Sequence, residues 1–173
     1  MRRVELEHVI RAAAAVTEDD ELVIVGSQAI LGQYPDAPGT MLMSREADIY
    51  PKNHPERSDE IDGSLGDGSY FDSSFGYYAH AVGPETAKAP ADWEDRLVPV
   101  QSENTGDAIG WCLEAHDLVL SKCVAGRERD WAFAREALRH GLVDAAELHR
   151  RAGDLPLPAE DIEAIRRMLT GMI

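Results

Sequence analysis

Four consecutive apolar residues, Leu22-Val23-Ile24-Val25, break off at Gly26-Ser27. A short continuous apolar run bounded by a glycine reads as a buried strand, and the turn after it opens a short helix over 27–31. Upstream, residues 4–16 carry apolar side chains at helical spacing, with Val4, His8 or Val9, and Ala12 on one face, and the acidic stretch 17–20 ends that helix. Downstream, two prolines and a glycine make 34–39 a loop. The alternation in Glu46-Ala47-Asp48-Ile49-Tyr50 predicts a strand over 44–50, stopped by Pro51. Residues 52–74 are polar and punctuated by Gly63, Gly66 and Gly68, which predicts mostly loop with one short helix over 58–65. Long loops in compact domains are often functional. Strands are expected over 77–82 and, as the last one, over 96–100. Beyond Ala108 the pattern is helical to the end, over 113–125, 128–139, 145–151 and 159–169, with Gly126, Gly141 and Gly153 as separators.

The order is that of an α+β fold: a small mixed sheet with flanking helices, followed by a C-terminal helical region. A core over 1–110 and a helical region over 111–173 packed on it would form a single structural unit. At 173 residues and 44% hydrophobic composition the chain has enough apolar side chains for one real core. No apolar run approaches the roughly 20 residues that span a bilayer. Met1-Arg2-Arg3-Val4-Glu5 turns acidic where a signal peptide would become apolar, so the expectation is a cytoplasmic protein that does not engage a membrane. Cys112 and Cys123 would lie about 16 Å apart on one continuous helix, too far for a disulfide, and are expected as buried thiols. No zinc spacing, Ser-His-Asp order, Walker A or Gly-x-Gly-x-x-Gly sequence is present.

Charge narrows the partners. The net charge is −15, from 32 acidic and 17 basic residues, a poor footprint for gripping nucleic acid over a broad surface. Either the acceptor is not a long nucleic acid or the basic residues are concentrated locally.

Two features carry chemistry. Residues i and i+2 of a strand project to the same side, so Glu46 and Asp48 would point together and make a natural divalent-metal site. The Gly26-Ser27 turn offers backbone N–H groups and a hydroxyl to a phosphate at a helix start. Together they read as nucleotide phosphate plus metal. The plainer readings are the solvated face of an edge strand for the carboxylates and a helix N-cap for Ser27, and the cap and phosphate roles are compatible.

These elements resemble the nucleotidyltransferase superfamily, whose first motif is a Gly-Ser turn followed by an Asp-x-Asp strand. They resemble more closely a bacterial family of uncharacterised nucleotidyltransferase-like domains related to the toxins of AbiE-type toxin–antitoxin systems. Three ordered segments over most of the first 145 residues carry the likeness: Val25-Gly26-Ser27-Gln28-Ala29-Ile30, then Phe75-Gly76-Tyr77-Tyr78 through Gly83-Pro84-Glu85-Thr86, and Asp117-Leu118-Val119-Leu120-Ser121-Lys122 through Gly126-Arg127-Glu128-Arg129-Asp130. The resemblance implies NMP transfer from an NTP, with Mg²⁺ (or Mn²⁺) held by Glu46 and Asp48. In this reading Gly26 and Ser27 hold the triphosphate, Lys122 faces it and Asp130 belongs to the active site. The implied acceptor is a tRNA end or a protein side chain, and the implied setting a toxin with an antitoxin partner.

Glu46 stands where the superfamily usually has Asp, and Asp95 and Glu103 are weak candidates for a third carboxylate. Lys122 sits among Leu118, Val119, Leu120, Cys123 and Val124, so its ammonium must snorkel or meet an anion. Asp130 reads equally well as a helix N-cap. Arg127 and Arg129 suit phosphate or acceptor contacts, or salt bridges to Glu128 and Asp130. Alternation puts Tyr78 and His80 on one strand face and Tyr77 on the other, one tyrosine in the core and one free to stack on a base. The competing readings are a catalytically inactive nucleotide-binding or regulatory module of the same fold, and an antitoxin-like partner binder using the helical C-terminus.

Overall fold

In the computed structural model, which describes residues 1–172, the chain forms five strands and eight helices. The strands are β1 (Glu21–Val25), β2 (Glu46–Pro51), β3 (Tyr78–Ala81), β4 (Val98–Val100) and β5 (Ile109–Cys112). The helices are α1 (Arg3–Thr17), α2 (Ile30–Gln33), α3 (Ser58–Leu65), α4 (Tyr70–Phe75), α5 (Ala115–Ala125), α6 (Glu128–Arg139), α7 (Ala145–Ala152) and α8 (Ala159–Thr170). The sheet runs β3-β2-β1-β5-β4. β1 is antiparallel to β2 and parallel to β5, β2 is parallel to β3, and β4 is antiparallel to β5. This is the expected α+β architecture with a mixed sheet.

Alternation along the strands sorts side chains between two faces. Leu22, Ile24, Ala47, Ile49, Ala79 and Cys112 enter the main core. Helix α1 packs there with Leu6, Val9, Ile10, Ala13, Ala14 and Thr17, the i, i+3, i+4 stripe of an amphipathic helix. Val4, expected on that face, is exposed. The opposite face carries only a small cluster of Val23, Val25 and Tyr50, with Trp93, Leu97 and Trp111 against it. Glu46 and Asp48 project from that second face.

Four expectations need correction. The region after Ala108 is not helical from its start, because Ile109–Cys112 forms β5, between β1 and β4. Only four residues long and carrying Gly110, this strand has a weak signal. A Cβ on Gly110 would stand 2.4 Å from Ile10 Cδ1, so the glycine is what lets α1 lie close on the sheet. The region 52–74 is not mostly loop, since α4 joins α3 there. Ser69 caps α4 by accepting from the Asp72 N–H at 3.1 Å, and Gly76 ends it in the left-handed region. Pro51 belongs to β2 as its last residue, paired with Leu22. Cys112 lies on β5 rather than on the helix of Cys123. Both are free buried thiols, as expected, and burial pushes both up to about 12.

Candidate active site

Strand pairing determines how the two carboxylates are held. In the parallel β2–β3 register Glu46 lies opposite Tyr78 and Asp48 opposite His80. The Tyr78 hydroxyl donates to Glu46 Oε2 at 2.9 Å, and His80 Nδ1 donates to Asp48 Oδ1 at 2.9 Å. Burial, together with the Glu46 partnership, pushes Tyr78 up to about 12, so it stays a donor. Tyr78 therefore positions a carboxylate. Tyr77 accordingly turns away and meets His8 Nδ1 at 2.8 Å.

The other neighbour of Asp48 is the turn after β1, where Val25 pairs with it. Gly26 has φ +66°, and a Cβ there would stand 2.0 Å from Asp48 Oδ2. Any other residue would be strained in backbone and would displace the carboxylate. Gly26 is the cap of the turn that follows, and Ser27 is its first residue, which corrects the N-cap reading. The turn is a 3₁₀ segment, Ser27–Ala29, leading into the four-residue α2. So short a helix has little dipole, and phosphate stabilisation must come chiefly from side chains.

Those side chains arrive from α5 and α6. Lys122, whose side chain is 13% exposed, lies with Nζ 3.5 Å from Asp130 Oδ1 and 5.7 Å from the Phe133 ring centroid. Of the two options for its ammonium, it meets an anion. Burial lowers its pKa, while Asp130 and Asp48 pull it back up. Asp130 occupies the third position of α6 and is 1% exposed; Arg127, not Asp130, is the N-cap. Its Oδ2 accepts from Arg127 Nε at 2.6 Å and from the Arg127 N–H at 3.3 Å. Burial opposes ionisation of Asp130, yet Arg127 and Lys122 hold its carboxyl below the ordinary aspartate value.

Ser27, Glu46, Asp48, Lys122 and Asp130 all line one cavity of about 580 Å³, with His80, Arg127 and Arg129. Three cations and three carboxylates line it, in a chain of net charge −15. Asp95 lies on the 3₁₀ turn Trp93–Arg96, and neither it nor Glu103 lines the cavity. Sequence reasoning gave Tyr78 and His80 no role beside the carboxylates. Their alternation was visible, but the register that pairs them is set across a connection of some 26 residues.

The acidic pair is not electrically balanced. Burial raises the Asp48 pKa, and the Glu46 charge adds to the rise against the pull of His80 and Lys122. Glu46 Oε1 and Asp48 Oδ2 take no hydrogen bond among the described residues, so each carboxylate keeps one oxygen uncommitted. Magnesium is commonly held by one or two carboxylates plus substrate phosphates, and these two fit that demand. Among the described residues no three of His, Cys, Asp and Glu gather as a metal-holding group by themselves.

With this geometry in view, the decisive comparison is that residues 4–168 match a family described as nucleotidyltransferase of unknown function (DUF6036). The chain belongs to that family. The match covers every element from α1 into α8, so the cavity between β2, α5 and α6 lies wholly within it. Comparisons with curated proteins and with solved structures returned no match. Among the described residues no helix is long and apolar enough to cross a membrane.

Proposed function

We propose that this nucleotidyltransferase-family chain transfers a nucleoside monophosphate from an NTP to an RNA or protein acceptor in a divalent-metal-dependent reaction. The observation that carries the reading is the convergence of an unbalanced acidic pair on β2 with Lys122 and Asp130 in one cavity. A hydroxyl of the acceptor attacks the α-phosphorus, the α–β bridging P–O bond breaks, and pyrophosphate leaves with the electron pair. The hydroxyl proton passes to water at the cavity mouth. Glu46 and Asp48 would hold Mg²⁺ or Mn²⁺, which when bound supplies charge neutralisation on the phosphates. Lys122 offsets charge that develops on the phosphoryl oxygens, and Asp130 holds that ammonium in place. Gly26 lets Asp48 approach the turn that carries Ser27, and Ser27 contacts the triphosphate. A tRNA end or a protein side chain as acceptor, and a toxin role with an antitoxin partner, follow by analogy only.

A second reading, a nucleotide-binding module without transfer, is favoured by the absence of a three-ligand metal cluster among the described residues and by Glu46 itself. Labelled NTPs offered to the protein with bulk tRNA, and with the protein as its own acceptor, distinguish the two. Label transfer by wild type that Asp48→Asn abolishes supports the enzyme. Nucleotide binding without transfer to any acceptor supports the module.

A further inference from the structure

Arg129 differs from the other charged groups at this site in having nothing to pair with. Along α6 its neighbours at i−3, i+3 and i+4 are Gly126, Ala132 and Phe133, so the helix offers it no carboxylate at pairing distance. Glu128 is adjacent in sequence and therefore projects in another direction. Arg127 by contrast finds Asp130 at i+3, and Arg57, Arg139, Arg150 and Arg166 each find a glutamate three residues away. Arg129 is exposed and forms no ion pair and no side-chain hydrogen bond among the described residues. The salt bridge expected for it is not made. Instead it lines the cavity together with Lys122 and Arg127.

Lys122 and Arg127 share the single negative charge of Asp130, so their field on a ligand is partly spent. The guanidinium of Arg129 is not. A planar group with five donors suits a phosphate oxygen pair, which can be bound in bidentate fashion. Arg127 is fixed by two contacts to Asp130, which leaves Arg129 as the guanidinium free to follow a phosphate.

We infer that Arg129 anchors the terminal phosphates of the nucleotide, making the cavity selective for triphosphates over monophosphates. The inference rests on the nucleotide reading of the cavity and does not require catalysis. It assigns to the first turn of α6 the phosphate grip that the short helix after Gly26 is ill-suited to supply.

Calorimetry with inorganic tripolyphosphate, ATP and AMP, each with Mg²⁺, tests it on wild type, Arg129→Ala and Arg135→Ala. Arg135 is exposed on the same helix, forms no ion pair among the described residues and lies outside the cavity, so its removal controls for net charge. The expected result for Arg129→Ala is a loss of about tenfold or more in tripolyphosphate and ATP affinity, and under about twofold for AMP. Arg135→Ala should change every ligand by under about twofold. Equal losses in the two variants, or a wild type that binds no tripolyphosphate at millimolar concentration, overturn the assignment. Transfer assays separate this result from the parent reading. Arg129-dependent tripolyphosphate binding in a protein that transfers nothing keeps the anchor and removes the enzyme, whereas transfer with an unchanged KM for NTP in Arg129→Ala keeps the enzyme and removes the anchor.

Discussion

Asp117, fully buried at the start of α5, has Arg96 Nε at 2.7 Å and Arg151 Nη1 at 3.0 Å, whereas Asp48 on β2 has no guanidinium at ion-pair distance and only the half-exposed imidazole of His80 beside it. Around Asp117 each acceptor is matched. Arg151 also lies 2.7 Å from Glu114, and His116 donates through Nδ1 to Glu114 while its Nε2 accepts from the Asp144 N–H. The cluster joins the turn before β4, the start of α5 and helix α7. It has charges on both sides in nearly equal measure and no need of a visitor. The acidic pair on β2 is only partly buried and is arranged differently, because its two carboxylates repel each other and keep an uncommitted oxygen apiece. Buried charge that is balanced within the chain clamps a fold, and buried charge left unbalanced in a cavity is completed by a ligand.

The largest expected effect lies on the clamp. Asp117→Ala leaves Arg96 and Arg151 facing each other without their shared anion, and breaking a buried pair in this way costs about 3–5 kcal/mol. Chemical denaturation should register that loss, and a variant as stable as wild type would mean the cluster is not a clamp. Lys122→Met comes next. It should lower NMP transfer about 10² or more, the usual size of one lost transition-state contact, while shifting the melting temperature far less than Asp117→Ala does. Robust transfer surviving Lys122→Met would remove this residue from the reaction.

Asp48→Asn should do the opposite of Asp117→Ala and raise the melting temperature at neutral pH. The sign follows from the raised pKa. Folding favours the protonated carboxyl, so the stability it contributes is present below the unfolded value of 3.8 and lost as pH rises through the folded value. The advantage of the asparagine variant should therefore shrink as the medium is acidified toward that value. Melting curves of both proteins across pH check this, and a destabilised variant would show that Asp48 is structurally satisfied. The smallest effect is expected for Tyr78→Phe, which removes one donor from Glu46 at a half-buried position and should cost about 1 kcal/mol or less in stability. A loss as large as that of Asp117→Ala would move Glu46 into the clamp class.

Local patterns made much of this legible. The common face of Glu46 and Asp48 follows from a period of two, and the start and end of α6 follow from its amphipathic stripe and the preceding Gly126. What the pattern could not carry was register and long-range pairing. Nothing near Tyr78 says that it will lie opposite Glu46, and nothing near Asp130 says that Lys122, on another helix, will share it with Arg127. Strand β5 escaped because it is short, holds a glycine and takes its parallel partner β1 from more than eighty residues away in sequence. Ser27 read as a cap because serine commonly is one, yet the positive φ demanded by the approach of Asp48 gives that position to Gly26.

The central claim is that the β2 carboxylates form an incomplete charge set that a divalent cation and a triphosphate complete together. Titrating MgATP into wild type and Asp48→Asn by calorimetry, with ATP in EDTA as the cation-free arm, addresses it most directly. The account predicts binding by wild type that weakens about tenfold or more both on removing the cation and on substituting Asp48. Equal affinity of Asp48→Asn and wild type for MgATP would contradict it.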